Sequence, residues 1–162
     1  TSFVFLFRGL GLSYQEVVVA LIGDNMSGFD QLKRFAVKLA FILASGLILV
    51  AFTPLAEIWF RDVSGLSESL TEFAKLPLKI MSFFPALTVL ISFQRAVLVK
   101  ANETKQITYG TAIEFVGIIL VVAICIKYFS LVGAVAATIA FVIGRIAACG
   151  YLLPPTISSL KK

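Results

Sequence analysis

The 162-residue chain is 59% hydrophobic and only 14% charged, with a net charge of +5 and no histidine. Soluble domains are nearer ~45–50% apolar and ~25% charged, so this composition argues against a soluble protein and predicts an integral membrane protein. The basic residues lie between apolar runs and not beside stacking aromatics, which argues against a nucleic-acid partner. Without histidine or a CxxC motif, a zinc or haem site is also disfavoured.

Five stretches are long and apolar enough to cross a bilayer, which requires about 20 mostly apolar residues each. The sequence therefore predicts an all-α, polytopic transmembrane bundle forming a single domain over residues 1–162. The predicted spans, in chain order, are residues 2–22, 35–60, 76–100, 106–127 and 131–153. The connection over residues 61–75 has room for a short interfacial helix.

The chain begins with TSFVFLFRG, which has no initiator methionine and almost no polar lead-in. We therefore expect a C-terminal fragment of a longer protein that starts within or at the edge of a transmembrane helix. A processed small protein is the alternative.

Lysine and arginine residues are unevenly divided between the two sides of the predicted bundle. One set of connections carries six basic residues and the other carries three. Because cytoplasmic segments are enriched in lysine and arginine, we predict that the richer side, which includes the C-terminus, is cytoplasmic. Its basic residues are Lys33, Arg34, Lys100, Lys105, Lys161 and Lys162.

Several polar and ionisable residues interrupt the apolar spans. A charge at mid-membrane costs about 3 kcal/mol on insertion scales, so such side chains should face the bundle interior or a wet cavity. The candidates for a substrate cavity are Arg8, Tyr14, Gln15, Glu16, Gln94, Arg95, Glu114 and Arg145.

Two acids and two arginines among these candidates are expected at a similar depth in the cytoplasmic half. This predicts ion pairs between helices, although the sequence does not indicate which residues pair. Arg8 is expected nearer the outer half, within reach of Glu57 and Lys79. Ion pairs that only hold helices together are the alternative to a substrate or proton pathway.

Two prolines lie in the third predicted span. Pro77 is expected in its first turn, where a missing N–H costs little. Pro85 lies about nine residues into the span, where it should bend the helix and serve as a hinge.

A stripe of small residues recurs every four positions on the fifth predicted span. Such a stripe lets helix backbones approach closely, so it predicts tight packing against a neighbouring helix. Its members are Ala136, Ala140, Gly144 and Ala148.

The run FTPLAEIWFRDVSGLSESLTEFAKLPLKIMSFFPALTVLISFQRAVLVKANET resembles the ninth and tenth helices of the MATE-like, or MOP, flippase superfamily. FSLVGAVAATIAF is similar to the start of that family's last helix. LPLKIMSFFP is most similar to the progressive-ankylosis branch, followed by the polysaccharide-exporter and lipid II flippase branches.

This resemblance implies that the chain forms the last five helices, most of one lobe, of a two-lobe transporter. The partner would be an N-terminal six-helix lobe, and the two lobes would rock to give alternating access. No cofactor is implied, and coupling to Na⁺ or H⁺ remains open, because the family's coupling site lies largely in the other lobe.

The sequence therefore predicts a secondary-active exporter or flippase of the plasma or inner membrane. Its arginines suit a small anionic or lipid-linked phosphate substrate. It is not predicted to be an enzyme, because GxSxG, P-loop and HExxH motifs do not occur. The alternatives are a drug or cation antiporter of the MATE type, a noncatalytic membrane scaffold or assembly subunit, and an enzyme whose catalytic residues lie upstream.

Overall fold

The computed structural model describes residues 2–22, 28–129 and 133–159, and these residues are almost entirely helical, with no strand among them. The predicted all-α class is therefore confirmed. Lys161 and Lys162 of the topology prediction lie outside the described residues. The elements are α1 (Ser2–Leu21), α2 (Phe29–Phe52), α3 (Leu55–Ile58), a π-helical turn (Trp59–Val63), α4 (Glu68–Ile80), a 3₁₀ turn (Met81–Phe83), α5 (Phe84–Lys100), α6 (Thr104–Phe129) and α7 (Gly133–Ser159).

Four helical segments of the described chain are long and apolar enough to cross a membrane: Phe29–Phe52, Glu68–Lys100, Thr104–Tyr128 and Gly133–Ser159. Four long apolar helices in a chain of this size are typical of a membrane protein. The first predicted span, residues 2–22, forms helix α1 but is not one of these four. Its crossing of the membrane remains a prediction.

The second predicted span, residues 35–60, is wrong at both ends. Helix α2 begins earlier, at Phe29, and ends at Phe52. It stops there because Thr53 precedes Pro54 and has extended backbone angles, φ −115° and ψ 168°, as expected for a residue before proline. The chain then continues through α3 and the π-helical turn.

The third predicted span starts too late. Residues 68–80 form α4, which is continuous with the 3₁₀ turn and α5 in one apolar segment, Glu68–Lys100. The predicted interfacial helix is thus the start of this segment. Pro77 consequently lies inside α4 and not in a first turn.

The helix changes geometry immediately before Pro85. A proline has no N–H to donate to the carbonyl four residues earlier, which here belongs to Met81. The Met81 carbonyl instead accepts the N–H of Phe84, three residues on, and residues 81–83 form a 3₁₀ turn. Pro85 itself lies in the first turn of α5, where its missing N–H is tolerated.

The predicted fifth span, residues 131–153, ends too early. Helix α7 continues through Pro154 and Pro155 to Ser159. The hydroxyl of Thr156 donates to the Leu152 carbonyl at 2.7 Å, and the Ser159 hydroxyl donates to the Pro155 carbonyl at 2.8 Å. These bonds join each hydroxyl to the carbonyl four residues earlier; the carbonyls that Pro154 and Pro155 leave without an N–H partner are those of Gly150 and Tyr151. The fourth predicted span, 106–127, lies within α6.

Helix α5 is the centre of the bundle and contacts α1, α2, α6 and α7. Ile91, Ala96, Val97 and Leu98 on this helix are completely buried. Helix α6 packs mainly on α7, and its other apolar side chains are exposed, as expected for a face that meets lipid. The exposed apolar residues of α6 include Phe115, Val116, Ile119, Leu120 and Ile124.

The connection between α5 and α6 is tight because Asn102 adopts a left-handed conformation with φ 58°. Its N–H donates to the Val99 carbonyl at 3.1 Å, and the N–H of Glu103 donates to the Leu98 carbonyl at 2.9 Å. These two bonds form a Schellman motif, which ends a helix and satisfies its last carbonyls.

Candidate functional site

Three ionisable residues from three helices meet inside the bundle. Nη2 of Arg145 on α7 lies 3.0 Å from Oε1 of Glu114 on α6. Nη2 of Arg95 on α5 lies 3.6 Å from the other carboxylate oxygen, Oε2. We refer to Arg95, Glu114 and Arg145 as the Arg–Glu cluster. Ion pairs between helices were expected from the sequence, and the structure identifies their members.

The close contact between α6 and α7 positions the Arg145–Glu114 pair. A β carbon placed on Gly144 would lie 2.8 Å from Cγ1 of Ile118 and 3.0 Å from the Glu114 carbonyl oxygen. One placed on Gly117 would lie 3.6 Å from the α carbon of Gly144. The helices approach this closely because position 144 is glycine, whereas a β carbon at position 117 would make only an ordinary van der Waals contact.

The predicted small-residue stripe lies on the buried side of α7. Ala136, Ala140 and Ala148 are fully buried, and Gly144 makes the contact with α6 just described. The stripe therefore belongs to the packing that holds Arg145 against Glu114.

Neighbouring groups hold the two arginines in place. Nη2 of Arg95 donates to Oγ1 of Thr111 at 3.2 Å, and the Thr111 hydroxyl donates to the Ile107 carbonyl at 2.9 Å. The guanidinium of Arg145 lies over the ring of Phe84, 5.1 Å from its centroid. Cation–π contacts of this kind favour a desolvated arginine.

Gln94 links α5 to α7 beside the cluster. The side chain is 2% exposed, and its Nε2 donates to the Cys149 carbonyl at 3.1 Å. Its Oε1 is buried and finds no hydrogen-bond partner among the described residues. An unused buried acceptor therefore lies one residue before Arg95 in the chain.

The cluster is deeply buried and carries more positive than negative charge. Arg145 is 4% exposed and Glu114 is 9% exposed. Two arginines face one glutamate. The Nε groups of Arg95 and Arg145 are buried and have no acceptor within the described chain. Buried charges of this kind need partners, because desolvation is costly.

Helix α1 contributes less to this cluster than expected. Tyr14 is buried and donates its hydroxyl to the Leu32 carbonyl on α2 at 2.5 Å, which is a bond between helices and not a cavity contact. Gln15 is half-buried, and Glu16 is exposed.

The expected grouping of Arg8 with Glu57 and Lys79 stays a prediction, and Arg8 itself is half-buried on α1. Glu57 accepts a hydrogen bond from Lys75, and Lys79 lies over the ring of Phe52, 5.6 Å from its centroid.

A second charged group, not anticipated from the sequence, lies at the surface between α3 and α4. Lys75 donates to Glu57 and to Glu72, the latter at 2.6 Å. The hydrogen bond from Lys75 holds the pKa of Glu57 below its usual range. The three-residue spacing of Glu72 and Lys75 on one helix is the only sequence signal for this group.

An apolar cavity of about 300 Å³ lies between α1, α4 and α7. Its walls include Val4, Phe73, Pro77, Ala137 and Phe141. Among the described residues, no group of histidine, cysteine, aspartate and glutamate side chains is arranged to hold a metal ion. The Arg–Glu cluster is therefore the strongest candidate site in the described part of the chain.

Comparisons with protein-family models, with curated proteins and with solved structures give no match to this chain.

Proposed function

We propose that this chain belongs to a secondary transporter that moves a small anion, or a lipid-linked phosphate, by alternating access. The observation that carries the proposal is the Arg–Glu cluster: the half-buried guanidinium of Arg95 on α5 and the buried guanidinium of Arg145 on α7 share one carboxylate inside apolar helices. Ionisable residues inside membrane segments commonly mark substrate pathways, because the free-energy cost of placing a charge inside the bilayer is otherwise hard to offset.

The chemistry of the cluster favours an anionic substrate. Guanidinium groups bind carboxylate and phosphate oxygens with two parallel N–H donors. The Nε donors of Arg95 and Arg145 are unused within the described residues. An oxyanion near this site would supply acceptors for them, whereas a cation would be repelled. A drug or cation antiporter is therefore less well supported.

A helix break beside the cluster supports a transporter over a rigid scaffold. The 3₁₀ turn Met81–Phe83 directly precedes Phe84, whose ring contacts Arg145. Transporters commonly bind substrates where membrane helices are interrupted, since local backbone changes there can accompany the opening of each side. We propose Pro85 as the hinge on this basis.

Membership of the MATE-like superfamily is part of this proposal and rests on the motif residues alone. In that case, the chain would pair with an N-terminal six-helix lobe, and its C-terminus would lie in the cytoplasm. Coupling to Na⁺ or H⁺ is left open. Absence of an enzymatic activity is likewise a prediction from the motifs.

Transport by the purified transporter, with both proposed lobes present, in liposomes tests the proposal. Uptake of radiolabelled phosphate and carboxylates is compared with uptake of organic cations under imposed Na⁺, H⁺ and voltage gradients. We expect anion transport by the wild-type protein, and its loss in Arg95→Ala and Arg145→Gln variants that remain monodisperse in detergent. Lys75→Gln is the matched control, because Lys75 also pairs with glutamates but lies outside the cluster.

Three results would contradict the proposal. Transport restricted to cations would favour the antiporter alternative. Anion transport that is unchanged in both arginine variants would remove the cluster from the pathway. A wild-type protein that transports none of the anions or cations under any gradient would favour a scaffold or assembly subunit.

A further inference from the structure

The way Glu114 binds the two arginines points to a role for Glu114 itself. Each of its carboxylate oxygens meets one terminal guanidinium nitrogen, so neither arginine forms the paired N–H contact that guanidinium and carboxylate groups favour. The Arg95 contact, at 3.6 Å, is longer than a hydrogen bond. Glu114 therefore pairs with both arginines without using all of their N–H donors, and its single negative charge offsets only one of their two positive charges.

An arginine pair buried in apolar helices cannot be left without an anion. The cost of an uncompensated buried charge is several kcal/mol. A site that must hold a transported anion, and must also exist without it, needs a substitute anion in its empty state. Glu114 lies between the two arginines and is 9% exposed, which suits it to this task.

We propose that Glu114 is an internal counter-ion that occupies the anion site when no ligand is bound and that a ligand oxyanion displaces. The ligand class is a phosphate-type or carboxylate oxyanion, whose oxygens would take up the free Nε donors of Arg95 and Arg145. This inference rests on the proposed anion site. It adds that ligand and Glu114 compete for the same two guanidinium groups.

Direct binding of inorganic phosphate to the purified protein tests the competition. Glu114→Gln keeps the shape of the side chain but removes its negative charge. We expect this variant to bind phosphate roughly tenfold or more tightly than the wild type, since losing one charge-assisted contact to a competitor is worth about that factor. Adding Arg145→Gln to the same chain should abolish the gain.

A matched control is Glu57→Gln. Glu57 also pairs with a basic residue, Lys75, but lies outside the cluster. Its substitution should leave the phosphate dissociation constant unchanged. A gain in both glutamine variants would show a general effect of net charge and would overturn the proposal.

Stability measurements keep the test decisive if Glu114→Gln folds poorly. A ligand that binds only the folded protein raises its stability with concentration. We therefore expect phosphate to raise the unfolding temperature of Glu114→Gln more than that of the wild type. Equal phosphate affinity and equal stabilisation in the two proteins would mean that Glu114 is a structural partner only.

The source of the oxyanion is distinguished by a second arm. Protein in nanodiscs containing phosphatidic acid is compared with protein in phosphatidylcholine alone. A Glu114→Gln gain in unfolding temperature that requires phosphatidic acid, and is not produced by inorganic phosphate, supports displacement by a lipid phosphate headgroup. A gain with inorganic phosphate in phosphatidylcholine supports displacement by a free anion.

Failure of this inference is separable from failure of the proposed function. Wild-type anion transport without any effect of Glu114→Gln on binding would refute competition but retain the transporter. Tighter phosphate binding by Glu114→Gln in a protein that transports no anion would retain the counter-ion and refute transport.

Discussion

Gly144 on α7 lies so close to Glu114 on α6 that a β carbon at position 144 would stand 3.0 Å from the Glu114 carbonyl oxygen. The same β carbon would lie 2.8 Å from Cγ1 of Ile118. Helix contact and ion pair are therefore coupled, because the backbone approach at Gly144 brings the next residue, Arg145, against the Glu114 carboxylate.

Gly144→Ala should separate α6 from α7. We expect a loss of about 1–3 kcal/mol in the free energy of unfolding, the usual cost of overpacking a tight contact. Gly150→Ala on the same helix is the control, since nothing lies within 4 Å of its added β carbon. Reversible unfolding in mixed detergent micelles measures both variants. Similar losses in the two would show that the close approach at Gly144 does not limit stability.

The Arg145–Glu114 pair should be energetically coupled. A double-mutant cycle with Arg145→Gln and Glu114→Gln is expected to give a coupling of about 1–3 kcal/mol, the range for residues in one charged network. The exposed pair Lys75–Glu57 should couple more weakly, because solvent screens it. Unfolding titrations of all variants check this, and equal coupling in the two pairs would contradict the buried character of the cluster.

Pro85→Ala should straighten the segment from α4 to α5. Alanine restores an N–H that can reach the Met81 carbonyl, so the 3₁₀ turn should give way to α-helix. The distance between spin labels at Phe73 and Leu90, measured by pulsed EPR in a cysteine-free background, should change. Pro77→Ala is the control, because Pro77 lies inside regular α-helix. An unaltered distance in Pro85→Ala would mean that packing, and not proline, imposes the turn.

Asn102 should be replaceable by glycine but not by alanine. Its φ of 58° lies in the left-handed region, which costs a residue with a β carbon about 1 kcal/mol or more. Asparagine tolerates this conformation better than alanine. We therefore expect Asn102→Ala to lower the free energy of unfolding by about 1 kcal/mol and Asn102→Gly to leave it nearly unchanged. Equal stability of the two variants would contradict the Schellman turn.

Stability should depend on pH through Glu57. The hydrogen bond from Lys75 lowers the Glu57 pKa below its ordinary value of 4.5. A carboxylate with a depressed pKa in the folded state stabilises it above the unfolded pKa, and this contribution disappears as the pH falls through the folded value. The unfolding temperature should therefore drop less steeply on acidification in Glu57→Gln than in the wild type. Parallel pH profiles would show that the pair does not contribute.

Helix ends show how local signals compete with tertiary context. Thr53 and Pro54 end α2, as the restriction on a residue before proline predicts. Pro154 and Pro155 do not end α7, and two hydroxyl–carbonyl bonds flank them. Proline therefore coincides with the end of one helix and lies inside another. The longer α7 also places Arg145 near the middle of its helix and not nearer its C-terminal end.

The sequence by itself determined the helical class and the approximate positions of the four long apolar segments, because these depend on composition along the chain. It also singled out Glu114 and Arg145 as ionisable residues that must be buried, and it predicted that some charged residues would pair, but it placed Glu16 inside although Glu16 is exposed. Only the tertiary structure decided that Arg95 and Arg145 share Glu114 and that the Tyr14 hydroxyl donates to the Leu32 carbonyl. Pairing depends on the rotation, depth and neighbours of each helix, and these are set by contacts such as Gly144 against α6 that join residues distant in sequence.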